Sequence, residues 1–278
     1  RKGGWDTHGL PIELAVEKEL GITKEDIGKK ISVDEYNAKC RETVMRFKDR
    51  WDDITRKMGY WVDLENPYIT YDNEYIETVW FLLKRLYEKG YLYKGYTIQP
   101  YSPAAGTGLS SNELNMPGTY KDVTDTTVVA MFKAKKDEKS AFLFENDDED
   151  VRILAWTTTP WTLPSNTALT VGPKIEYVKI KTKNPYTQTD VSVVLALPLV
   201  SKWFGGKNQA VIEHQSAAFL GEKLDGVRYE QLLAYGNDIE PLNGATDAFR
   251  VILGDFVTTE DGTGIVHTAP SFGADDMK

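Results

Sequence analysis

Only one cysteine, Cys40, occurs in the 278 residues. A lone thiol excludes an internal disulfide and a zinc site built from cysteines, and it fits a reducing compartment. No run of about 18 apolar residues is present, so no membrane-spanning helix is encoded. No secretory signal is expected, since Arg1-Lys2-Gly3-Gly4 leads straight into a motif. Positive charge is short. Lys and Arg number 33 against 42 Asp and Glu, a net charge of −9. Proteins that grip nucleic acid broadly tend to be basic, since phosphate neutralisation drives their affinity. The acidic balance therefore weakens an RNA-binding module more than a site that takes in only the end of an RNA chain. What is present, 41% hydrophobic and 27% charged residues, is the composition of a soluble globular protein. The length allows one large or two ordinary domains.

The first hundred or so residues read as helical. Pro11 suits a first turn, and Ile12, Ala15, Val16 and Leu20 follow at helical spacing before Gly21. Asp34 is expected to cap a long helix whose stripe runs Cys40, Val44, Phe47, Trp51, Ile54 and Met58 to Gly59. Asp72 is expected to cap another, with Ile76, Val79, Leu82, Leu83 and Leu86 buried and Gly90 as the stop. These stripes read as core, and Cys40 belongs to one of them. From about Tyr120 the texture turns to strands. Thr126 to Lys133, Ile153 to Thr159, Ala168 to Val171, Tyr177 to Lys181, Arg250 to Val257 and Gly264 to Thr268 are the candidates. A short helix is expected around Pro198 to Phe204. The Pro- and Gly-punctuated stretch from Tyr96 to Thr124 reads as the crossover between the two textures. The fold class is thus α/β plus mainly-β, a helical first part followed by a barrel-like second.

Three segments carry chemistry. The first is Trp156-Thr157-Thr158-Thr159-Pro160-Trp161-Thr162-Leu163-Pro164-Ser165-Asn166. Its prolines keep it out of a central ladder. It offers hydroxyls and an amide beside rigid apolar walls, as a pocket needs to judge a small aliphatic group while hydrogen-bonding a polar one. The bland reading is a β-rich turn with ordinary threonine content. The second segment is Gly262-Thr263-Gly264-Ile265-Val266-His267-Thr268-Ala269-Pro270-Ser271-Phe272-Gly273-Ala274-Asp275-Asp276. Either terminal carboxylate could meet a cation, and chemistry alone does not separate them; both could equally be acids at a helix start. His267 could act as a general base or shape a pocket, and with no visible Asp or Ser partner the second reading is favoured. The third is Gly4-Trp5-Asp6-Thr7-His8-Gly9-Leu10-Pro11-Ile12-Glu13, where Asp6 could bind a cation or simply precede a helix. His214 lies in no motif and reads as a surface residue.

All three segments, in their order along the chain, resemble those of isoleucyl-tRNA synthetases. The third looks like the family's catalytic-domain GWDTHGLPIE, the first like its threonine-rich editing peptide, and the second like the GTGxVHxAPxxGxxD segment of the editing pocket. Leucyl enzymes usually carry Ala-Phe where Thr7-His8 stand, valyl enzymes a GTDHAG-like stretch, and both a TTRP-type peptide. Many bacterial members have a cysteine zinc knuckle near Tyr101 to Gly106; this chain departs from that pattern, and no metal is carried over.

The resemblance implies a Rossmann-type catalytic-domain segment with connecting helices over residues 1–119, and the inserted editing (CP1) domain over 120–278. It implies an excised piece of a larger enzyme, with the ATP-binding HIGH and KMSKS sequences expected before and after it, and an editing domain incomplete at its C-terminal end. That enzyme attaches isoleucine to tRNA(Ile) using ATP with Mg; no cofactor is expected in this piece. The piece would hydrolyse mischarged valyl-tRNA(Ile). Asp276 would hold the α-ammonium, and His267 and Thr159 would exclude isoleucine by crowding. Thr157 and Thr158 would meet the terminal adenosine or a water, and Asn166 would orient the ribose or the ester carbonyl. Asp6 and His8 would bind isoleucine and its adenylate in the synthetic site. The implied partners are the tRNA 3′ end, isoleucine and valine, for a cytoplasmic monomer with no membrane contact. The alternatives are a free-standing deacylase, which would not need the GWDTHGLPIE segment, and a non-enzymatic interaction domain, which leaves the motifs unexplained.

Overall fold

The computed structural model describes residues 1–206, 210–233 and 247–278. They form two compact units, Arg1–Thr119 and Tyr120–Lys278. Among the described residues no helix is long and apolar enough to cross a membrane.

The first unit opens with strand β1 (Lys2–Trp5), followed by helices α1 (Leu10–Leu20), α2 (Val33–Met45) and α3 (Lys48–Lys57). Strand β2 (Asp63–Ile69) then returns parallel to β1, pairing Gly4 with Tyr68 and Trp5 with Ile69. Helix α4 (Asn73–Glu88) follows. Parallel strands need a crossover, and here three helices supply it. Neither strand is among those expected from sequence. Gly4 explains part of its own motif, because a Cβ there would collide with the edge of the Tyr68 ring.

Two expectations for this unit are corrected. The long helix is two helices. Ser32, not Asp34, caps α2, its hydroxyl accepting the Glu35 N–H at 3.2 Å while the Glu35 carboxylate takes the Ser32 N–H. Phe47, at φ −111° and ψ 11°, leaves helical geometry and separates α2 from α3. The apolar stripes are also not core. Phe47, Trp51, Ile54 and Met58 are exposed, as are Val79, Leu82, Leu83 and Leu86 of α4. Periodicity shows which residues share a face, not whether anything covers it. Val16 and Tyr36 are the buried apolar side chains among this unit's described residues. Gly21, Gly59 and Gly90 do sit at helix ends with positive φ. A small hairpin, β3 (Tyr101–Ser102) with β4 (Thr107–Gly108), and a short helix α5 (Ser111–Leu114) complete the unit.

The second unit is built on mixed sheets. Its strands are β5 (Val128–Lys133), β6 (Val151–Thr157), β7 (Ala168–Val171), β8 (Glu176–Lys183), β9 (Asp190–Ala196), β10 (His214–Gln215), β11 (Phe219–Leu220), β12 (Arg250–Leu253) and β13 (Ile265–Thr268). A six-stranded sheet runs β10-β8-β9-β6-β5 with β11 also on β8, and a three-stranded sheet runs β12-β7-β13. Among the described residues neither sheet closes into a barrel. Phe132, Ile153, Leu169, Val171, Tyr177, Tyr229, Val251 and Ile265 form one continuous core. Each large side chain there contributes about 1.5–3 kcal/mol by leaving water. A short helix α6 (Val200–Trp203) lies inside the stretch expected to be helical.

Strand β9 escapes the sequence reading because Val191 to Ala196 is buried on both faces and shows no alternation. Strand β12 stops at Leu253 rather than Val257. Its partner β7 ends at Val171, opposite Leu253, so no ladder remains to extend. Strand β6 ends at Thr157, short of Thr159, where Pro160 opens a six-residue 3-10 turn through Ser165.

Candidate functional site

The threonine-rich peptide turns sharply off the end of β6. Thr157 Oγ1 accepts the Thr159 N–H at 3.0 Å and lies 3.3 Å from Thr159 Oγ1. Thr162 Oγ1 then donates to the Thr159 carbonyl at 2.8 Å. These local bonds replace the ladder that Pro160 breaks and leave Thr158 exposed.

The Gly262–Asp276 segment reaches the same place through β13, which runs antiparallel to β7 and sets His267 opposite Leu169. Gly262 and Gly264 have φ of 73° and 71°, a region where a side chain is strained. Each also lies against a neighbour. A Cβ on Gly262 would come 2.8 Å from the Trp156 ring, and one on Gly264 would collide with Ala196. Thr263 Oγ1 donates to the Leu154 carbonyl at 2.7 Å, tying the loop to β6.

The two segments line one cleft of about 450 Å³. Thr157, Thr158, Thr159, His267 and Asp276 all face it, with Trp156, Thr162 and Ile265 among the other walls. Trp161 and Phe272 meet edge-to-face at 5.6 Å, and both are exposed. Asp276 Oδ2 accepts the Ala269 N–H at 2.8 Å, which directs the carboxylate back toward β13. Asp275 is exposed and pairs with Lys278 at 2.9 Å.

His267 is buried, and both ring nitrogens are engaged. Nε2 lies 3.0 Å from Thr162 Oγ1, across 105 positions of chain, and Nδ1 lies 2.9 Å from Asn166 Nδ2. Burial pushes the imidazole below its usual pKa, partly opposed by the nearby Asp276 carboxylate. The ring is therefore neutral at pH 7. Asn166 does not line the cleft; it stands behind His267 with its amide fully occupied. Nδ2 also donates to the Ala168 carbonyl at 2.8 Å, and Oδ1 accepts from the Tyr229 hydroxyl at 2.7 Å. Thr162 and Tyr229 are absent from the sequence-based candidates. Thr162 sits in the quoted motif, whereas nothing local marks Tyr229.

The other candidates, Asp6 and His8, lie in the first unit and share a second cleft with Tyr68, Thr70, Tyr75, Ile76, Val79 and Trp80. Thr70, just past β2, organises it. Its hydroxyl accepts the Thr7 N–H at 3.0 Å and lies 2.9 Å from both Thr7 Oγ1 and His8 Nδ1. Tyr68 and Tyr75 stack at 5.8 Å along the wall. Asp6 is exposed, and His214 lies exposed on β10. Among the described residues, no group of three or more His, Cys, Asp or Glu side chains is placed to hold a metal ion.

A parallel strand pair beside the GWDTHGLPIE segment, and a separate mixed-sheet unit in which the threonine-rich peptide meets a Gly-Thr-Gly loop, frame the comparison with known proteins. Residues 1–241 match the family described as tRNA synthetases class I (I, L, M and V), and the chain belongs to that family. Among individual relatives, it is 60% identical to the isoleucine–tRNA ligase of Cytophaga hutchinsonii, over 100% of this chain and 25% of that protein. It is likewise 60% identical to the isoleucine–tRNA ligase of Porphyromonas gingivalis, over 99% of this chain and 24% of that protein. The chain thus spans about a quarter of the length of the curated relatives it matches. Of solved structures, the Plasmodium knowlesi (P. knowlesi) cytosolic leucyl-tRNA synthetase editing domain superposes with a TM-score of 0.40 and 14% identity, over 54% of this chain and 60% of that one.

Proposed function

We propose that this chain is part of an isoleucine–tRNA ligase, and that the cleft of its second unit hydrolyses valyl-tRNA(Ile). The observation that carries the reading is the meeting of Thr157–Thr159, His267 and Asp276 in one cleft. Isoleucine and valine differ by one methylene, which a single pocket reads at only about 1–3 kcal/mol; isoleucyl-tRNA synthetases are the standard example of that limit. A second, hydrolytic site that admits only the smaller product overcomes it.

In this reading the Asp276 carboxylate holds the α-ammonium of the misplaced valine by charge-assisted hydrogen bonds. His267 and Thr159 bound the space for the side chain, and the additional methylene of isoleucine crowds them. Thr158, exposed at the mouth, and Thr157 beside it serve the terminal adenosine or the attacking water. The water oxygen bonds to the ester carbonyl carbon and the bond from that carbon to the ribose oxygen breaks; one water proton goes to the ribose oxygen and the other to solvent, so valine leaves as its carboxylate. No Ser-His-Asp arrangement is needed, and the substrate's free ribose hydroxyl helps to place the water. His267 is a poor general base here, since both its nitrogens are already bonded within the protein. Asn166 acts behind His267 and not on the ribose. In the first unit, Asp6 binds the α-ammonium of free isoleucine and His8 lies toward the adenylate. The whole enzyme uses ATP with Mg and takes the tRNA 3′ end, isoleucine and valine as ligands. It works as a monomer in the cytoplasm.

The test is Asp276→Ala in the full-length enzyme. Losing a hydrogen bond to a charged group costs about 1.5–3 kcal/mol. Valyl-tRNA hydrolysis is expected to fall more than tenfold while isoleucine-dependent pyrophosphate exchange is unchanged. Undiminished hydrolysis removes Asp276 from the ammonium site and the reading with it.

A further inference from the structure

Tyr229 lies at 0% exposure in the core of the second unit and is not among the residues that line the cleft. Its backbone is pinned by a bridge to Ala134 and by its N–H to the Phe249 carbonyl at 3.0 Å. Its ring packs edge-on against Phe132 at 5.2 Å and Phe249 at 6.2 Å. Burial raises the phenol's pKa, so the hydroxyl keeps its proton and serves as a donor. It donates a hydrogen bond to Asn166 Oδ1 at 2.7 Å.

A chain of hydrogen bonds with one possible direction starts there. The Ala168 carbonyl can only accept, so the Asn166 atom 2.8 Å from it must be the amide nitrogen. Rotating the amide by half a turn would set two carbonyl oxygens against each other. With the amide so fixed, its second N–H points at His267 Nδ1, 2.9 Å away, and that ring nitrogen must be the bare acceptor. The ring proton then resides on Nε2 and is donated to Thr162 Oγ1 at 3.0 Å. The Thr162 hydroxyl in turn donates a hydrogen bond to the Thr159 carbonyl at 2.8 Å, at the cleft wall.

We infer that the Asn166 amide, set by the Ala168 carbonyl and clamped from the other side by Tyr229, holds His267 in its Nε2–H tautomer with a fixed ring plane, and that Tyr229 is a positioning residue for it. The consequence for discrimination between valine and isoleucine rests on the function proposed above; the tautomer itself does not. Without the hydroxyl, Asn166 Oδ1 is left without its donor in a buried place. The amide then loses one of the bonds that hold it, and His267 Nδ1 loses a fixed donor.

The experiment uses the full-length enzyme labelled with ¹⁵N-histidine, and the His267 signals are assigned by their loss in His267→Gln. Long-range ¹H–¹⁵N spectra distinguish a protonated from a bare ring nitrogen. The wild type is expected to show bare Nδ1 and protonated Nε2 at His267. In Tyr229→Phe, which keeps the ring packing, the two ¹⁵N shifts are expected to move toward each other as the second tautomer becomes populated. Asn166→Asp provides a second arm if the first variant folds poorly. A carboxylate cannot donate, so Nδ1 should become protonated. A wild-type Nδ1–H tautomer, or shifts unmoved in a folded Tyr229→Phe protein, overturns the inference. In the full-length enzyme, Tyr229→Phe should also raise hydrolysis of isoleucyl-tRNA relative to valyl-tRNA. If the spectra shift as expected but the full-length enzyme hydrolyses neither ester, the positioning role stands and the proposed function falls.

Discussion

Replacing His267 with alanine in the full-length enzyme separates shape from proton transfer, and the structure indicates that the variant remains folded. The imidazole makes two hydrogen bonds, to Thr162 and to Asn166. Thr162 Oγ1 still donates to the Thr159 carbonyl, and the Asn166 amide keeps Ala168 and Tyr229, but its second N–H loses its acceptor. The loss is two net hydrogen bonds at about 0.5–1.5 kcal/mol each, or about 1–3 kcal/mol, and water entering from the cleft must take up the freed N–H. The vacated space adjoins the open cleft and can fill with water. If His267 rejects isoleucine by bulk, relieving that crowding returns about 1–3 kcal/mol. This corresponds to a gain of roughly 5- to 160-fold in hydrolysis of isoleucyl-tRNA. Valyl-tRNA hydrolysis should survive within about tenfold, because no proton transfer has been removed. Deacylation of both esters by the same purified variant, at pH 6 to 8, is the assay. A fall of about 10²–10⁴-fold on valyl-tRNA with no gain on isoleucyl-tRNA is the signature of a lost general base and would refute the steric account.

Two predictions concern stability. The folded-state pKa of His267 lies below its unfolded value of about 6.5, so the unfolded chain binds more protons in the window between them. Its contribution is fully present above pH 6.5 and is lost as pH falls through that window; urea midpoints at pH 7.5 and 5.5 should diverge more in the wild type than in His267→Ala, and parallel losses would remove burial of this imidazole as the cause. Gly264→Ala should destabilise the second unit by about 2–5 kcal/mol, combining about 1–2 for a side chain at positive φ with about 1–3 for the collision with Ala196. A urea midpoint unchanged from the wild type would show that the loop can move aside.

How much of this was legible depends on how far each determinant lies from its effect. Strand β7 has the bounds that its residues suggest, and Gly21, Gly59 and Gly90 end helices, because turns and short ladders are local matters. The motif residues stood out for a similar reason: clustered hydroxyls, prolines and a His-to-Asp segment are unusual over a dozen positions. Other features have no local signature. Ser32 outcompetes Asp34 as the cap because Glu35 falls three residues after it and can answer the bond. The stripes on α3 and α4 have correct periodicity but no cover, and periodicity contains nothing about cover. Tyr229 is the clearest case, since its partner Asn166 is 63 positions away and its neighbours in sequence resemble any strand edge. The same distance bears on how such a site can work. Each N–H and O–H from Tyr229 to Thr162 has one acceptor, so the His267 ring is held from the core through Asn166 as well as at the cleft wall through Thr162. A pocket that reads a single methylene by crowding requires a wall that does not yield to the larger side chain, and a wall anchored in the packed interior meets that requirement better than one held by surface contacts.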